Sequence, residues 1–266
     1  MIVYPDFEPV ILSLGPLSLR WYGLMYLAGF GFAWVLANKR ARREDINWSR
    51  DQVSDVIFYG ALGVILGGRL GSVLFYNFDR FLQDPFMLIR VWEGGMSFHG
   101  GLIGVMLALW YFARRNKKTF LTVADFVTPL VPLGLGFGRI GNFINNELWG
   151  KPTDLPWGVM IEPGAAALHP SQLYEAFLEG LVLFFILWIY SAKPRAAGTV
   201  SGLFLVCYGV FRFAIEFVRM PDADLGYLAF GWVTMGQILS IPMIAGGVFL
   251  INWAGKRKEM NNETIS

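Results

Sequence analysis

The chain has 266 residues, of which 55% are hydrophobic and only 16% charged, against about 25% charged in a usual soluble domain. Several apolar segments approach the roughly 20 residues needed to cross a bilayer, which excludes one or two soluble domains. The net charge of +2 offers no sign of a nucleic-acid partner, and a single cysteine, Cys207, excludes an internal disulfide framework; in its apolar run it reads as a buried helix residue.

Residues 1–19 contain no Lys or Arg and are broken by Pro5, Pro9 and Pro16. They do not read as a signal peptide but as a short arm on the outer, periplasmic interface. Seven apolar stretches follow, over 20–38, 53–76, 97–113, 121–145, 170–190, 199–218 and 232–254. The expected fold is therefore all-α, a polytopic membrane protein with about seven transmembrane helices over 20–254 and a polar, frayed cytoplasmic tail over 255–266. Orientation follows from Lys and Arg in short loops. One set of connections holds Lys39, Arg40, Arg42, Arg43 and Arg50, then Arg114, Arg115, Lys117 and Lys118, then Lys193 and Arg195, and finally Lys256, Arg257 and Lys258. The opposite set holds Arg80, Arg90, Lys151 and Arg219. The basic side is cytoplasmic, so the N-terminus lies outside and the C-terminus inside. Trp92, Trp149, Trp157 and Trp232 suit the headgroup level of the outer leaflet. No internal repeat of the transporter kind is visible.

Charges within spans are expensive, so each is a functional candidate. Taken along the chain, Arg69, His99, Arg139, Glu147, His169, Glu175, Arg212, Glu216 and Arg219 all fall in the middle or outer half of their spans, or just beyond. Asp55 and Asp125 lie near helix starts, where an acid suits the helix dipole. A polar cluster toward the outer leaflet is expected.

Tyr22 and Tyr26 read as core aromatics. Arg69 sits in LGVILGGRLGSVLFY, where Gly63, Gly67 and Gly71 make a small-residue packing face; it suits either a second phosphate contact or a structural ion pair. His99 in GGMSFHGGLIG can cap a helix start or, as a neutral imidazole, accept a substrate proton. In GLGFGRIGNFINNELWG, Gly134, Gly136, Gly138 and Gly141 permit close approach of backbone or ligand. Arg139, Asn142, Asn145, Asn146 and Glu147 follow, and Pro129 and Pro132 upstream are expected to kink the span. Arg139 offers a phosphate a planar fork of donors. His169 in HPSQLYE precedes Pro170 at a first helical turn, a largely structural arrangement. Tyr208, Arg212, Glu216 and Arg219 follow at spacings that share one helical face. That stripe suits an ion-pair ladder or an anion site, since two arginines against one glutamate leave one positive charge over.

The segment GRIGNFINNELWG resembles the signature of the bacterial phosphatidylglycerol–prolipoprotein diacylglyceryl transferase family. RWYGLMYLAGF, GGMSFHGGLIG, HPSQLYE, YGVFRFAIEFVRMPD and MGQILSIPM extend the likeness from about residue 5 to residue 252, and these motifs are long and specific. The resemblance implies transfer of a diacylglyceryl group from phosphatidylglycerol to the lipobox cysteine thiol of a prolipoprotein signal peptide. The products are a thioether and glycerol phosphate, in the first step of lipoprotein maturation. It implies a bacterial inner membrane enzyme whose site faces the periplasmic leaflet. It further implies that Arg139 binds phosphatidylglycerol, that Arg212 is essential, that His99 is a candidate base, and that Tyr22, Asn142, Glu147 and Gly150 are required. Tyr208, Glu216, Arg219 and Arg69 join them as candidate substrate-binding residues on the pattern described above.

The residue types suit this chemistry. Expelling a phosphate monoester builds charge where arginines can stabilise it, and a thiol, with a free pKa of about 8.5, must reach the thiolate to attack. His99, Glu147 or Glu216 can take that proton. No cofactor is needed, and the scattered histidines and acids show no metal-ligand spacing. Both substrates arrive laterally among membrane lipids. The rival reading is a lipid transporter or flippase with an outer-leaflet anionic-lipid site, against which stand the absent repeat and a polar cluster away from the midplane. An intramembrane protease lacks its G-x-S-x-G nucleophile stretch, and a headgroup transferase lacks its aspartate-rich motif.

Overall fold

The computed structural model describes residues 2–14, 17–90, 94–221 and 226–263, with side chains to Arg257 except at 14, 17 and 18. Pro16, Trp92 and the side chain of Lys258 therefore lie outside the described residues. The chain forms two compact units, residues 1–33 with 125–266, and residues 34–124.

The first unit opens with strands. β1 (Ile2–Val3) pairs in parallel with β4 (Val159–Met160), and β2 (Val10–Leu14) forms an antiparallel hairpin with β3 (Leu17–Arg20). The N-terminal arm is thus tied to the loop that follows the GRIGN segment. Tyr4, buried, donates its hydroxyl to the Phe143 and Ile144 carbonyls and packs edge-on against Phe7, Phe143 and Trp149. Strands were not expected in an all-α chain. A two-residue pairing carries no alternating pattern and exists only because the distant loop supplies its partner.

Apart from these, the molecule is helical. α1 (Trp21–Ala41) leads from the first unit into the second. There α2 (Arg50–Tyr76) and α4 (Phe98–Arg115) pack together, with α3 (Phe78–Gln83) and a 3₁₀ turn at Pro85–Leu88 between them. α2 starts in a capping box, the Ser49 hydroxyl accepting from Gln52 N and the Gln52 side chain accepting from Ser49 N. Its crossing with α4 is as close as backbones allow. A Cβ on Gly67 would strike the Gly100 carbonyl, and one on Gly71 would lie 2.8 Å from Gly100 Cα. The small-residue face read from Gly63, Gly67 and Gly71 is therefore the seat of α4.

α5 (Phe120–Val127) leads back into the first unit, where α6 (Val131–Ile144) follows a 3₁₀ turn at Thr128–Leu130. The break falls at Pro129 and Pro132, as their missing N–H groups require. Next come α7 (Ser171–Glu175), a π-helical segment at Ala176–Val182, α8 (Leu183–Tyr190), α9 (Thr199–Ile215) and α10 (Met235–Glu263). Asp125, within α5, holds the start of α9. Its carboxylate accepts from Gly198 N at 2.7 Å and from Ser201 N and Oγ at 2.8 and 2.6 Å. Cys207 is half-buried against Leu183, Leu187 and Val200. The tail expected to fray is helical through Glu263, because nothing after Gly255 breaks a helix.

Among the described residues four helical stretches are long and apolar enough to cross a membrane, Arg50–Tyr76, Phe120–Ile144, Ser171–Tyr190 and Met235–Arg257, and Thr199–Ile215 is a shorter apolar helix. The fold is that of an α-helical membrane protein.

Candidate active site

The first unit gathers its charges into one buried cluster. α6 brings Arg139, the end of α7 brings Glu175, and the end of α9 and the turn after it bring Arg212, Glu216 and Arg219. Glu175, only 1% exposed, is the hub. Arg139 Nε meets its Oε2, while Arg219 Nη1 and Arg212 Nη1 lie 2.8 and 3.3 Å from its Oε1. Glu216 is the second anchor, paired with Arg212 Nη2 and 3.3 Å from Arg219 Nε. A buried carboxylate needs such partners, because an unpaired one costs several kcal/mol (roughly 3–5).

Local sequence explains why Glu216 can sit there. Thr234 and Gln237 form a capping box at the start of α10, Gln237 N donating to Thr234 Oγ1 and Thr234 N donating to Gln237 Oε1. The Thr234 hydroxyl donates in turn to Glu216 Oε2 at 2.6 Å. A side chain on Gly236 would come within 2.6 Å of Glu216 Oε1, so glycine leaves the carboxylate room at the helix N-terminus. Gly136 and Gly180 likewise bring α6 against the π-helical segment, a Cβ on Gly180 falling 2.8 Å from Gly136 Cα.

The three guanidinium groups exceed Glu175 and Glu216 by one charge. Arg139 meets Glu175 through Nε, and its two terminal amines make no hydrogen bond among the described residues. Arg212 Nη1 is buried within ion-pair distance of Glu175 yet has no aligned hydrogen bond. The terminal amines of Arg139 thus remain available as a planar pair of donors, with the Glu175 carboxylate on the Nε side of the same guanidinium.

Around Arg139, Asn142 Nδ2 donates to Glu147 Oε1 at 2.7 Å, and the Tyr22 ring rests on Gly141, whose Cβ would come within 3.0 Å of it. The Tyr22 hydroxyl faces that of Tyr26 at 3.3 Å. Tyr208 stacks on Phe204, its hydroxyl unpaired among the described residues. Gly150 works through backbone. Its N–H donates to the His169 carbonyl, Lys151 N donates to the Val218 carbonyl, and a Cβ on Gly150 would lie 2.5 Å from that same oxygen. Only glycine lets this loop lie against Val218 and Arg219. His169 Nδ1 lies 3.2 Å from the Tyr174 hydroxyl. Burial and the Lys151 charge hold its imidazole below the ordinary histidine value, which fits a neutral, structural group.

Two candidates belong to the other unit. Arg69 sends its guanidinium into the backbone carbonyls of Met87, Leu88, Arg90, Gly94 and Gly95. Of the two roles open to it, this geometry is the structural one, a clamp on the turn before α4, although it pairs with carbonyls rather than an acid. His99 is exposed on the first turn of α4. The cap there is Ser97, whose hydroxyl accepts from Gly100 N at 3.2 Å, and the His99 imidazole has no hydrogen bond among the described residues.

The central position of Glu175 was missed by the sequence reading, which counted it only among in-span charges, and Glu179 was missed entirely. The available signal was two acids four residues apart within one apolar span. Among the described residues no group of His, Cys, Asp and Glu is arranged to hold a metal ion.

A sequence model of the family described as prolipoprotein diacylglyceryl transferase matches residues 9–253. A relative from Ectopseudomonas mendocina (strain ymp) is 61% identical over 260 residues, 97% of this chain and 98% of its own. One from Pseudomonas aeruginosa (strain LESB58) is 58% identical over 259 residues, 97% of each chain, and one from Pseudomonas entomophila (strain L48) is 57% identical over 269 residues, the whole of both. Each of these relatives bears the name phosphatidylglycerol–prolipoprotein diacylglyceryl transferase. A likeness of that strength along the whole length settles the lineage: the chain belongs to the prolipoprotein diacylglyceryl transferase family.

Proposed function

We propose that this chain transfers the diacylglyceryl group of phosphatidylglycerol to the lipobox cysteine of a prolipoprotein, releasing glycerol phosphate. The observation that carries the reading is the Arg139 fork, two free terminal amines on a guanidinium held by the buried Glu175. A phosphodiester monoanion matches the single excess positive charge of the cluster. The thiolate attacks the glyceryl carbon, the carbon–oxygen bond breaks, and the electron pair leaves on a phosphate oxygen. Charge then concentrates on the phosphate, where fixed guanidinium donors stabilise the transition state more than the ground state.

In this reading Arg139 and Arg212 hold the phosphate, and Arg219 and Glu216 keep Arg212 in place. Tyr22, Asn142 and Glu147 shape the Arg139 side, and Gly150 seats the loop beside Arg219. Arg69 fixes the approach to α4, and His99, as the family resemblance implies, accepts the thiol proton. The protein spans the bacterial inner membrane seven times with its N-terminus periplasmic, and the arginine cluster serves the periplasmic leaflet. Membership of the transferase family favours this over a lipid transporter.

The test is purified protein incubated with phosphatidylglycerol and a peptide bearing a lipobox cysteine. A thioether-linked lipid and glycerol phosphate are expected, and Arg139→Ala should abolish both while the protein still inserts and folds. Lipid movement without thioether, or near-normal turnover by Arg139→Ala, would overturn the assignment.

A further inference from the structure

α4 ends beside a cation-lined cavity that the chemistry described so far does not use. Lys117 turns the chain there through the left-handed region, with φ at 53°, and the amides of Lys117 and Lys118 donate to the Arg114 and Ala113 carbonyls. The turn is braced from the side of α2, where Gln52 Nε2 donates to Asn116 Oδ1 at 3.0 Å and Trp48 stacks on Phe112. α5 then departs from Phe120, leaving a partly open cavity of about 320 Å³ lined by Trp110, Ala113, Arg114, Lys118, Thr119 and Phe120. Arg114 lies over the Trp110 ring, its Cζ 5.5 Å from the centroid, and makes no hydrogen bond or ion pair among the described residues. Lys118 donates to the Asn47 carbonyl at 2.7 Å and sits 5.1 Å from the Trp48 centroid, again with no carboxylate beside it among the described residues. Burial holds its ammonium below the ordinary lysine value. Two cations thus share one cavity without an acid to offset them. Exposed side chains of Ile103, Leu107 and Trp110 run along one face of α4 toward Arg114, an apolar stripe that suits acyl chains.

We propose that this cavity holds the phosphate of an anionic glycerophospholipid, in the leaflet beside the basic loops, with the acyl chains lying along Ile103, Leu107 and Trp110. Arg114 supplies a planar fork of donors and Lys118 a point charge, while the Trp110 indole suits the level where headgroup meets hydrocarbon. A zwitterionic lipid brings its own ammonium and gains less from two unmatched cations. The site shares no residue with the arginine cluster, and it lies roughly 22 Å along α4 from His99. A lipid held there ties the end of α4 to the start of α5. The inference goes beyond the transferase reading and does not draw on it.

A trace of photoactivatable phosphatidylglycerol, its diazirine on an acyl chain near the glycerol, tests this in nanodiscs of phosphatidylcholine. Peptide mass spectrometry of the full-length wild type should find label within residues 103–120, and a matching phosphatidylcholine probe should leave about fivefold less. Arg114→Gln should cut that label about fivefold, Arg114→Gln with Lys118→Gln should cut it further, and Arg114→Lys should keep most of it. Since Arg114 makes no hydrogen bond among the described residues, the single variant stays informative even if the double one fails to fold. Arg115→Gln controls for the general attraction of basic loops to an anionic surface, because its guanidinium bonds the Tyr59 hydroxyl instead of lining the cavity; its label should match the wild type. Equal labelling by the two lipids, an equal loss in Arg115→Gln, or undiminished label in Arg114→Gln overturns the site. Loss of label on adding inorganic phosphate at constant ionic strength would make free phosphate the occupant and overturn the lipid. Thioether formation is not the readout, so a failure of the transferase reading would leave this result standing.

Discussion

Arg139 and Arg212 were legible as members of a polar cluster because a guanidinium in an apolar span is costly and needs partners. Their shared dependence on Glu175 was not legible. Which acid braces which arginine depends on how α6, α7 and α9 meet, and spacing along one helix says nothing of that. Gly150 shows the same limit: the requirement for glycine comes from the Val218 carbonyl, 68 positions away along the chain, near which a Cβ would fall at 2.5 Å. His99 stands apart as a side chain with no structural duty among its own neighbours, since Ser97 caps the helix on which it sits. If His99 accepts the thiol proton, His99→Ala should lower kcat/KM with a lipobox peptide about a hundredfold or more, with the protein still folded and inserted. Near-normal turnover in the variant would transfer the base role to another group.

The helices followed from apolar runs, and their ends fell within a few residues of the expected ones except at the C-terminus of α10. The β1–β4 pairing and the π-helical segment left no trace in the sequence, because each is decided by packing rather than by local pattern. The α2–α4 crossing is the best case of an element read correctly. Its glycines recur every four residues on α2 and again at Gly100 and Gly104 on α4, and the two backbones meet there. Gly67→Val should therefore force the helices apart, costing about 1–3 kcal/mol and lowering the unfolding temperature in detergent. Gly60→Ala makes a clean comparison, since a Cβ there meets nothing within 4 Å. It should be neutral, or stabilising by up to about 1 kcal/mol from helix propensity. Equal tolerance of the two substitutions would mean that the crossing is not held by backbone contact.

At the scale of the whole molecule, the proposed function requires the arginine cluster to serve the leaflet on the periplasmic side. Four stretches qualify as spans on length and apolarity alone, while α1 and α4, at 21 and 18 residues, would be about 32 and 27 Å long, near the roughly 30 Å of a hydrocarbon core. In the proposed seven-span topology these two and α9 are the remaining spans, and the loop after Arg139 then lies on the side opposite the basic loops. Fourteen of the 22 Lys and Arg residues lie in or beside the connections at 39–50, 114–118, 193–195 and 256–258, the distribution that retains loops in the cytoplasm. Cysteine labelling in intact cells, with the native Cys207 replaced by serine, tests this. Single cysteines at Asn116 and Ala196 should resist a membrane-impermeant maleimide, and ones at Asp154 and Glu162 should react. Labelling of Asp154 or Glu162 only after the inner membrane is opened would put Arg139 toward the cytoplasmic leaflet, where the proposed reaction would meet neither its lipid leaflet nor its exported thiol.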